Sequence, residues 1–352
     1  MKKRLGLLLL SFFVAVGCSD GQKGASDKSP KAKSSKAVIN GAGATFPYPV
    51  YVNWAKEYEK ESGVKVNYQG IGSGGGIRQV TERTVDFGGS DKILSPAELD
   101  KRRLYQFPAI IGSITVVYNL PGVGDGEIKL SNQAACDIFL GKISYWDSEE
   151  IKRDNPNVKL PHQRITVIHR AEGSGTTWNF TYWLSEVCPE WKEKVGFGKV
   201  VNWPTGIGAK GNAGVTNYVK QTPGAIGYVE YAYKEQNNLS ASQLQTREGN
   251  FIKPSQESFK SAAAHAQWKK EEHFYLEGNL ILQPGKESWP LTAASVILLP
   301  REKKERNKLV IDFFNWAFEK GDGIAQRLGY VPLPESTKEL VRQYWQETVL
   351  KD

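Results

Sequence analysis

Three short loops carry the residues best suited to chemistry. Thr45 and Phe46 lie in 41–47 (GAGATFP), Ser73 in 70–76 (GIGSGGG), and Ser174, Gly175 and Thr176 in 170–177 (RAEGSGTT). Each loop runs from a strand-like segment into a helix-like one, so each sets a hydroxyl beside the unpaired N–H groups of a first helical turn. Those groups and the positive end of the helix dipole attract an anion. Glycine lets the backbone approach a ligand unobstructed by Cβ. One such loop is commonly just a turn with an N-cap, but three of them, each after a strand, describe an anion site.

Two charged residues sharpen that reading. Arg170, just before the third loop, offers a bidentate fork to an oxyanion; its alternative role is an ion pair with Glu172. Asp91 closes 85–91 (VDFGGSD), where its alternative role is a turn or N-cap. A carboxylate in an anion site makes sense when the anion brings a proton for it to accept. Phosphate carries one near neutral pH and sulfate does not, so sulfate would face an unpaired carboxylate.

The elements that must position these loops alternate along the chain. Strands are expected at 37–42, 64–70 and 85–89, and helices from Pro47, at 74–84 and from Ser95 to Leu104, a rhythm that implies a parallel, helix-covered sheet. The apolar run 109–118 suits a buried strand leading into a second α/β region. There, helices are expected at 131–140, 148–153 and 176–187, and strands at 164–170 and 224–231. A further strand at 291–299 precedes a helix with Val310, Phe313, Phe314 and Ala317 on one face, and a final helix spans 336–348.

The start of the chain reads as an export signal: Lys2, Lys3 and Arg4, an apolar run to Val16, then Ala15-Val16-Gly17-Cys18. Residues 1–17 are expected to be a signal peptide, and Cys18 stands where a bacterial lipoprotein cleavage box has its lipidated Cys. Residues 18–37 then form a flexible tether rich in Ser, Lys, Gly and Ala. The expected location is outside the cytoplasm, periplasmic or cell-surface, with the chain held on a membrane by its lipid. Of the net charge of +8, the leader supplies three and five Lys against two Asp in 19–37 supply three more, so 38–352 carries only +2. A near-neutral body removes the case for nucleic-acid binding. Cys136 and Cys188 either form a disulfide closing a loop of about 52 residues or are two small buried hydrophobes on helices.

Together with 141–146 (GKISYW) and 223–233 (PGAIGYVEYAY), the segments 41–47, 68–76, 85–91 and 170–177 resemble those of the bacterial high-affinity phosphate-binding protein, the receptor of the phosphate-specific ABC transporter. The resemblance runs from about Ile39 to the C-terminus. It implies a type II periplasmic-binding-protein fold, α/β in class, with two lobes joined by crossovers near 111–114 and Trp289. Lobe 1 would comprise 38–112 and 291–352, and lobe 2 would comprise 113–290. Dehydrated inorganic phosphate would lie between the lobes, held without metal or cofactor. Thr45, Phe46 and Ser73 would donate from lobe 1 and Arg170, Ser174, Gly175 and Thr176 from lobe 2, with Asp91 accepting the phosphate proton. The implied partners are the permease subunits of an ABC transporter, and a monomer is expected. The chain departs from the family pattern at Glu172, where Asp is usual, and at Lys92, where a small residue is usual and an outward, solvated side chain is expected. His169 is expected to face away from the site.

Three rival readings make different demands. A sulfate-like receptor is opposed by Asp91. A secreted hydrolase with Ser174 or Ser73 as nucleophile lacks the G-x-S-x-G context, because Glu172 and Ile71 hold the first glycine positions. His162, His169, His265 and His273 show no metal-ligand spacing. A surface protein retaining the fold for adhesion would have no reason to keep the whole ligand set.

Overall fold

The computed structural model describes residues 37–351; the expected signal peptide, Cys18 and the expected tether up to residue 36 lie outside the described residues. The chain opens with β1 (Val38–Gly43), α1 (Tyr48–Ser62), β2 (Lys65–Gly70), α2 (Ser73–Thr81), β3 (Phe87–Ser90) and α3 (Pro96–Arg102). Helix α1 forms because Val50, Tyr51, Trp54, Ala55 and Tyr58 recur at helical spacing and are all buried. It stops at Gly63, whose φ of 72° is the left-handed cap that glycine adopts at little cost. Helix α3 starts at a capping box, in which the Ser95 hydroxyl accepts from Glu98 N while the Glu98 carboxylate accepts from Ser95 N.

The long strand β4 (Leu104–Tyr118) leads to α4 (Asn132–Phe139), β5 (Thr166–Arg170), α5 (Gly175–Val187), β6 (Ile207–Ala209), α6 (Gly211–Gln221), β7 (Ala225–Glu230) and α7 (Tyr231–Gln236). Strand β8 (Leu291–Pro300) then returns, followed by α8 (Lys304–Lys320) and α9 (Glu335–Tyr344). These strands form one curled sheet in the order β2-β1-β3-β8-β4-β7-β5-β6.

Its two ends are parallel, β1 with β2 and β3, and β5 with β6 and β7. The middle is antiparallel, because β8 pairs with β3 on one side and β4 on the other, and β4 with β7. The parallel pairing expected for the first three strands is found in β1, β2 and β3, while the sheet as a whole is mixed: β4 and β8 are crossovers running in opposite directions. Strand β4 changes partner along its length, with Leu104–Ser113 beside β8 and Ile114–Tyr118 beside β7. The Trp289 indole donates to the Ile114 carbonyl at 2.8 Å and ties the crossovers together. The result is a two-lobed α/β fold in which both parallel ends direct the carboxyl ends of their strands, where such sheets bind ligands, toward one cleft.

Several boundaries differ from expectation. The helix expected to reach Leu104 ends at Arg102, and β4 begins at Leu104 rather than 109. Strand β6 and helices α6 and α7 have no counterpart in the sequence reading. Each half has an aromatic core, Tyr51, Phe87, Phe107 and Phe314 in the first and Phe139, Phe180, Trp191 and Tyr228 in the second.

The open question about the cysteines is resolved as a disulfide, Cys136 to Cys188, with Cα atoms 6.3 Å apart. It ties α4 to the end of α5, across the core of the half that carries the third loop. Replacing both cysteines by serine is expected to cost about 4 kcal/mol in the chain-entropy account, read as a lower urea midpoint. A double variant as stable as the parent would show that the unfolded chain is already constrained there.

Candidate functional site

The first three strands place the first two loops by backbone contact alone. The Gly43 carbonyl accepts from Ile71 N and Gly72 N, both at 2.9 Å, and Ala44 N donates to the Gly89 carbonyl at 3.0 Å. A Cβ on Gly76 would lie 2.5 Å from Gly43 Cα, so the loops interlock only because these positions lack side chains. This puts Thr45, Phe46, Ser73 and Asp91 together on one wall, all four buried.

The opposite wall is the N-terminus of α5. Ser174 caps it, accepting from Thr177 N at 2.9 Å, which leaves the Ser174 hydroxyl proton free to point elsewhere. The N–H groups of Gly175 and Thr176 lie in the first turn and have no carbonyl within the helix to bond. Arg170, at the end of β5, is only 3% exposed. Its Nε donates to Glu172 Oε1 at 3.1 Å, one terminal nitrogen to the same oxygen, and the other to Thr176 Oγ1 at 3.3 Å. Arg170 thus makes the ion pair with Glu172 that was its alternative role, and one N–H on each terminal nitrogen is left for another acceptor.

The walls touch. Gly74 N donates to the Gly173 carbonyl at 2.8 Å, and a Cβ on Gly175 would lie 2.3 Å from Ser73 Oγ and 2.8 Å from Asp91 Oδ2. Asn179 on α5 donates to the Asp91 carbonyl at 2.9 Å, as does Asn279 at 3.0 Å. Residues distant in sequence therefore surround the Asp91 carboxylate, which is 1% exposed and has neither oxygen hydrogen-bonded to the protein. Burial pushes its pKa up to about 7, held back by the Ser295 hydroxyl, the Arg170 charge and the Ser73 hydroxyl. The Ser73 oxygen accepts from Asp91 N at 3.1 Å, so its proton too is free for a further acceptor.

Some residues escaped the sequence reading. Asn212, in the first turn of α6, bonds the Thr45 hydroxyl, and the Tyr233 hydroxyl donates to the Thr45 carbonyl at 2.5 Å. The Tyr330 hydroxyl donates to the Phe46 carbonyl at 2.6 Å. The signal for Asn212 was a fourth strand-glycine-helix passage, Ile207–Ala209 into Gly211, hidden because the strand has only three residues. Glu230, fully buried at the end of β7, caps α7 through Ala232 N and has its pKa raised well above the usual carboxylate range by burial.

The departures from the family pattern also find their places. Lys92 is not an outward, solvated side chain as expected: it pairs with Glu98 and is mostly covered. His169 is half-buried, stacked on Trp203 at 4.7 Å, with Nδ1 donating to the Arg170 carbonyl at 3.0 Å, which fixes its proton on Nδ1. Glu172 Oε1 also accepts from Gly211 N at 2.9 Å. Among the described residues no cluster of three or more His, Cys, Asp or Glu is arranged to hold a metal, and no helix is long and apolar enough to cross a membrane.

A two-lobed frame with helix N-termini and hydroxyls converging between its halves defines a solute-binding protein, and residues 30–320 match the PBP superfamily domain. The sequence is 50% identical over 314 residues to the phosphate-binding protein PstS of Pasteurella multocida, covering 89% of this chain and 91% of that protein. It is 38% identical over 365 residues to the PstS of the archaeon Methanocaldococcus jannaschii, covering 96% and 92%. The chain belongs to the PstS family of phosphate-binding proteins. Two solved structures share the fold: a high-affinity periplasmic phosphate-binding protein bound with phosphate (TM-score 0.71, 21% identity, 87% of this chain and 93% of that one) and the phosphate-binding protein of Stenotrophomonas maltophilia (TM-score 0.65, 19% identity, 88% and 94%).

Asp91 gives the ligand-free protein a pH signature. With its pKa raised from 3.8 to about 7, the folded chain binds more protons than the unfolded one between those values. This contribution to stability is present below about pH 4 and is lost as pH rises through about 7. Asp91→Asn removes the penalty, so the ligand-free variant should melt above the parent at pH 8 and converge with it near pH 4. A melting difference independent of pH would show that Asp91 titrates like an ordinary carboxyl.

Proposed function

We propose that Thr45, Phe46, Ser73, Asp91, Arg170, Ser174, Gly175 and Thr176 enclose one dehydrated phosphate in the cleft of this extracytoplasmic receptor. Lobe 1 comprises 38–112 with 291–352 and lobe 2 comprises 113–290; the partner exchange along β4 supports that division. Phosphate oxygens accept from the hydroxyls of Thr45, Ser73, Ser174 and Thr176, from backbone N–H groups of Phe46 and Gly175, and from the two remaining N–H groups of Arg170. The single observation carrying this reading is the Asp91 carboxylate, buried and unbonded among those donors. It is the acceptor that a protonated anion needs.

The chain is a receptor and not an enzyme. The Ser174 oxygen is engaged in capping α5, and His169 Nδ1 donates to a backbone carbonyl. The closed lobes would present phosphate to the permease subunits of an ABC transporter. The receptor would act as a monomer held at a membrane surface by a lipid on Cys18, with the 18–37 segment giving it reach.

Calorimetric titration at pH 8 of protein stripped of ligand by unfolding and refolding tests the site. Phosphate should bind one to one and sulfate should give no heat, while Asp91→Asn should admit sulfate. Sulfate binding to the parent at pH 8 would remove the discriminating role of Asp91. In the same assay, Arg170→Ala should cost about 1.5–3 kcal/mol, roughly ten- to hundredfold in Kd. Parent affinity in that variant would assign Arg170 to structure alone.

A further inference from the structure

Building on the phosphate reading, we infer that Asn212 is a positioning residue that fixes the direction of two ligand-facing hydroxyls, making Thr45 and Thr176 obligate donors. A threonine hydroxyl can donate once and accept twice, and its proton turns to suit its surroundings. Around an anion that freedom is a liability, because a hydroxyl presenting its lone pairs repels the ligand it should hold.

The bonds around Asn212 remove the freedom. Asn212 is fully buried, and its Oδ1 accepts from Glu230 N at 2.8 Å. That bond fixes which way the amide faces, so the NH2 group points into the site. One of its protons goes to Thr45 Oγ1 at 2.8 Å and the other to Thr176 Oγ1 at 3.2 Å. Thr45 Oγ1 accepts a second time, from Asn212 N at 3.1 Å, and Thr176 Oγ1 accepts a second time from Arg170 Nη1 at 3.3 Å. Both lone pairs of both hydroxyl oxygens are thereby occupied, and each hydroxyl retains only its proton to offer.

The asymmetry matters for recognition. The two hydroxyls come from opposite walls, so one amide presets a donor in each lobe and bridges them. It acts together with Asp91, the acceptor of the site: donors locked as donors select oxygens that lack protons, and Asp91 selects the oxygen that has one. Asn212 reaches the ligand only through the threonines.

The test is a double-mutant cycle read by phosphate titration and by melting of the ligand-free proteins. Asn212→Ala should weaken phosphate binding about tenfold, the loss of two oriented neutral hydrogen bonds, in the parent background. It should weaken binding by less than about twofold in a Thr45→Val/Thr176→Val background, where no hydroxyls remain to orient. Asn212→Asp keeps the shape and the Glu230 bond but turns acceptors toward the threonines, and it should lose more than Asn212→Ala. It also keeps the test open if the alanine variant folds poorly. A tenfold loss persisting in the double-valine background would overturn the inference by assigning Asn212 to lobe packing. Parent affinity in either single variant would overturn it too. A parent chain that takes up no phosphate would sink the receptor reading itself and this inference with it.

Discussion

Holding an anion without water requires every donor to be in place before the ligand arrives, because unmet groups in a dry cleft are costly. The charges around this cleft largely offset one another. Arg170 is neutralised by Glu172 at its back, and Asp91 adds negative charge at the front. What remains is an array of N–H and O–H dipoles at helix N-termini, worth more in a buried site than in water. A site built this way discriminates by the pattern of donors and acceptors and not by charge attraction, which agrees with a folded body carrying almost no net charge.

The two crossover strands make that array compatible with entry and exit of the ligand. Strands β4 and β8 run antiparallel through the middle of the sheet, with a register shift at Ser295/Val296, and belong to both halves. The loops that meet across the cleft touch through backbone where Gly74 faces Gly173 and through side-chain hydrogen bonds from Asn179 to Asp91 and from Asn212 to Thr45. Hydrogen bonds of this kind can be made and broken in a hinge motion. The large aromatic clusters lie within each half and keep the loops of one wall fixed relative to one another.

Much of this was legible in the sequence because local signals and tertiary roles coincide in the first three strand-loop-helix units. The Gly-rich spacing of 41–47, 70–76 and 170–177 marks both the turn chemistry and the loops that the fold brings together at the cleft. The parallel pairing of the first three strands could be read from their alternation with helices, whereas the directions of β4 and β8 could not, because strand direction is a property of pairing and their apolar runs carry no sign of orientation. Helix α6 was missed because its three-residue strand lies among turn formers and its helix begins Gly-Asn-Ala-Gly. Lys92 was misplaced because its partner Glu98 lies six residues on, in the first turn of α3, and nothing in the sequence marks the two as neighbours.

Glu172 links those missed and foreseen parts. Its Oε1 accepts from Arg170 and also from Gly211 N, the first N–H of α6, so one carboxylate oxygen positions both the guanidinium and the helix that carries Asn212. An aspartate here would be one methylene shorter, and with its backbone fixed in the loop it would reach one of these partners at the expense of the other. The departure from the family pattern at Glu172 is thus coupled in the fold to the placement of Asn212. The longer acid ties Arg170 and the first turn of α6 to a common anchor on the second wall.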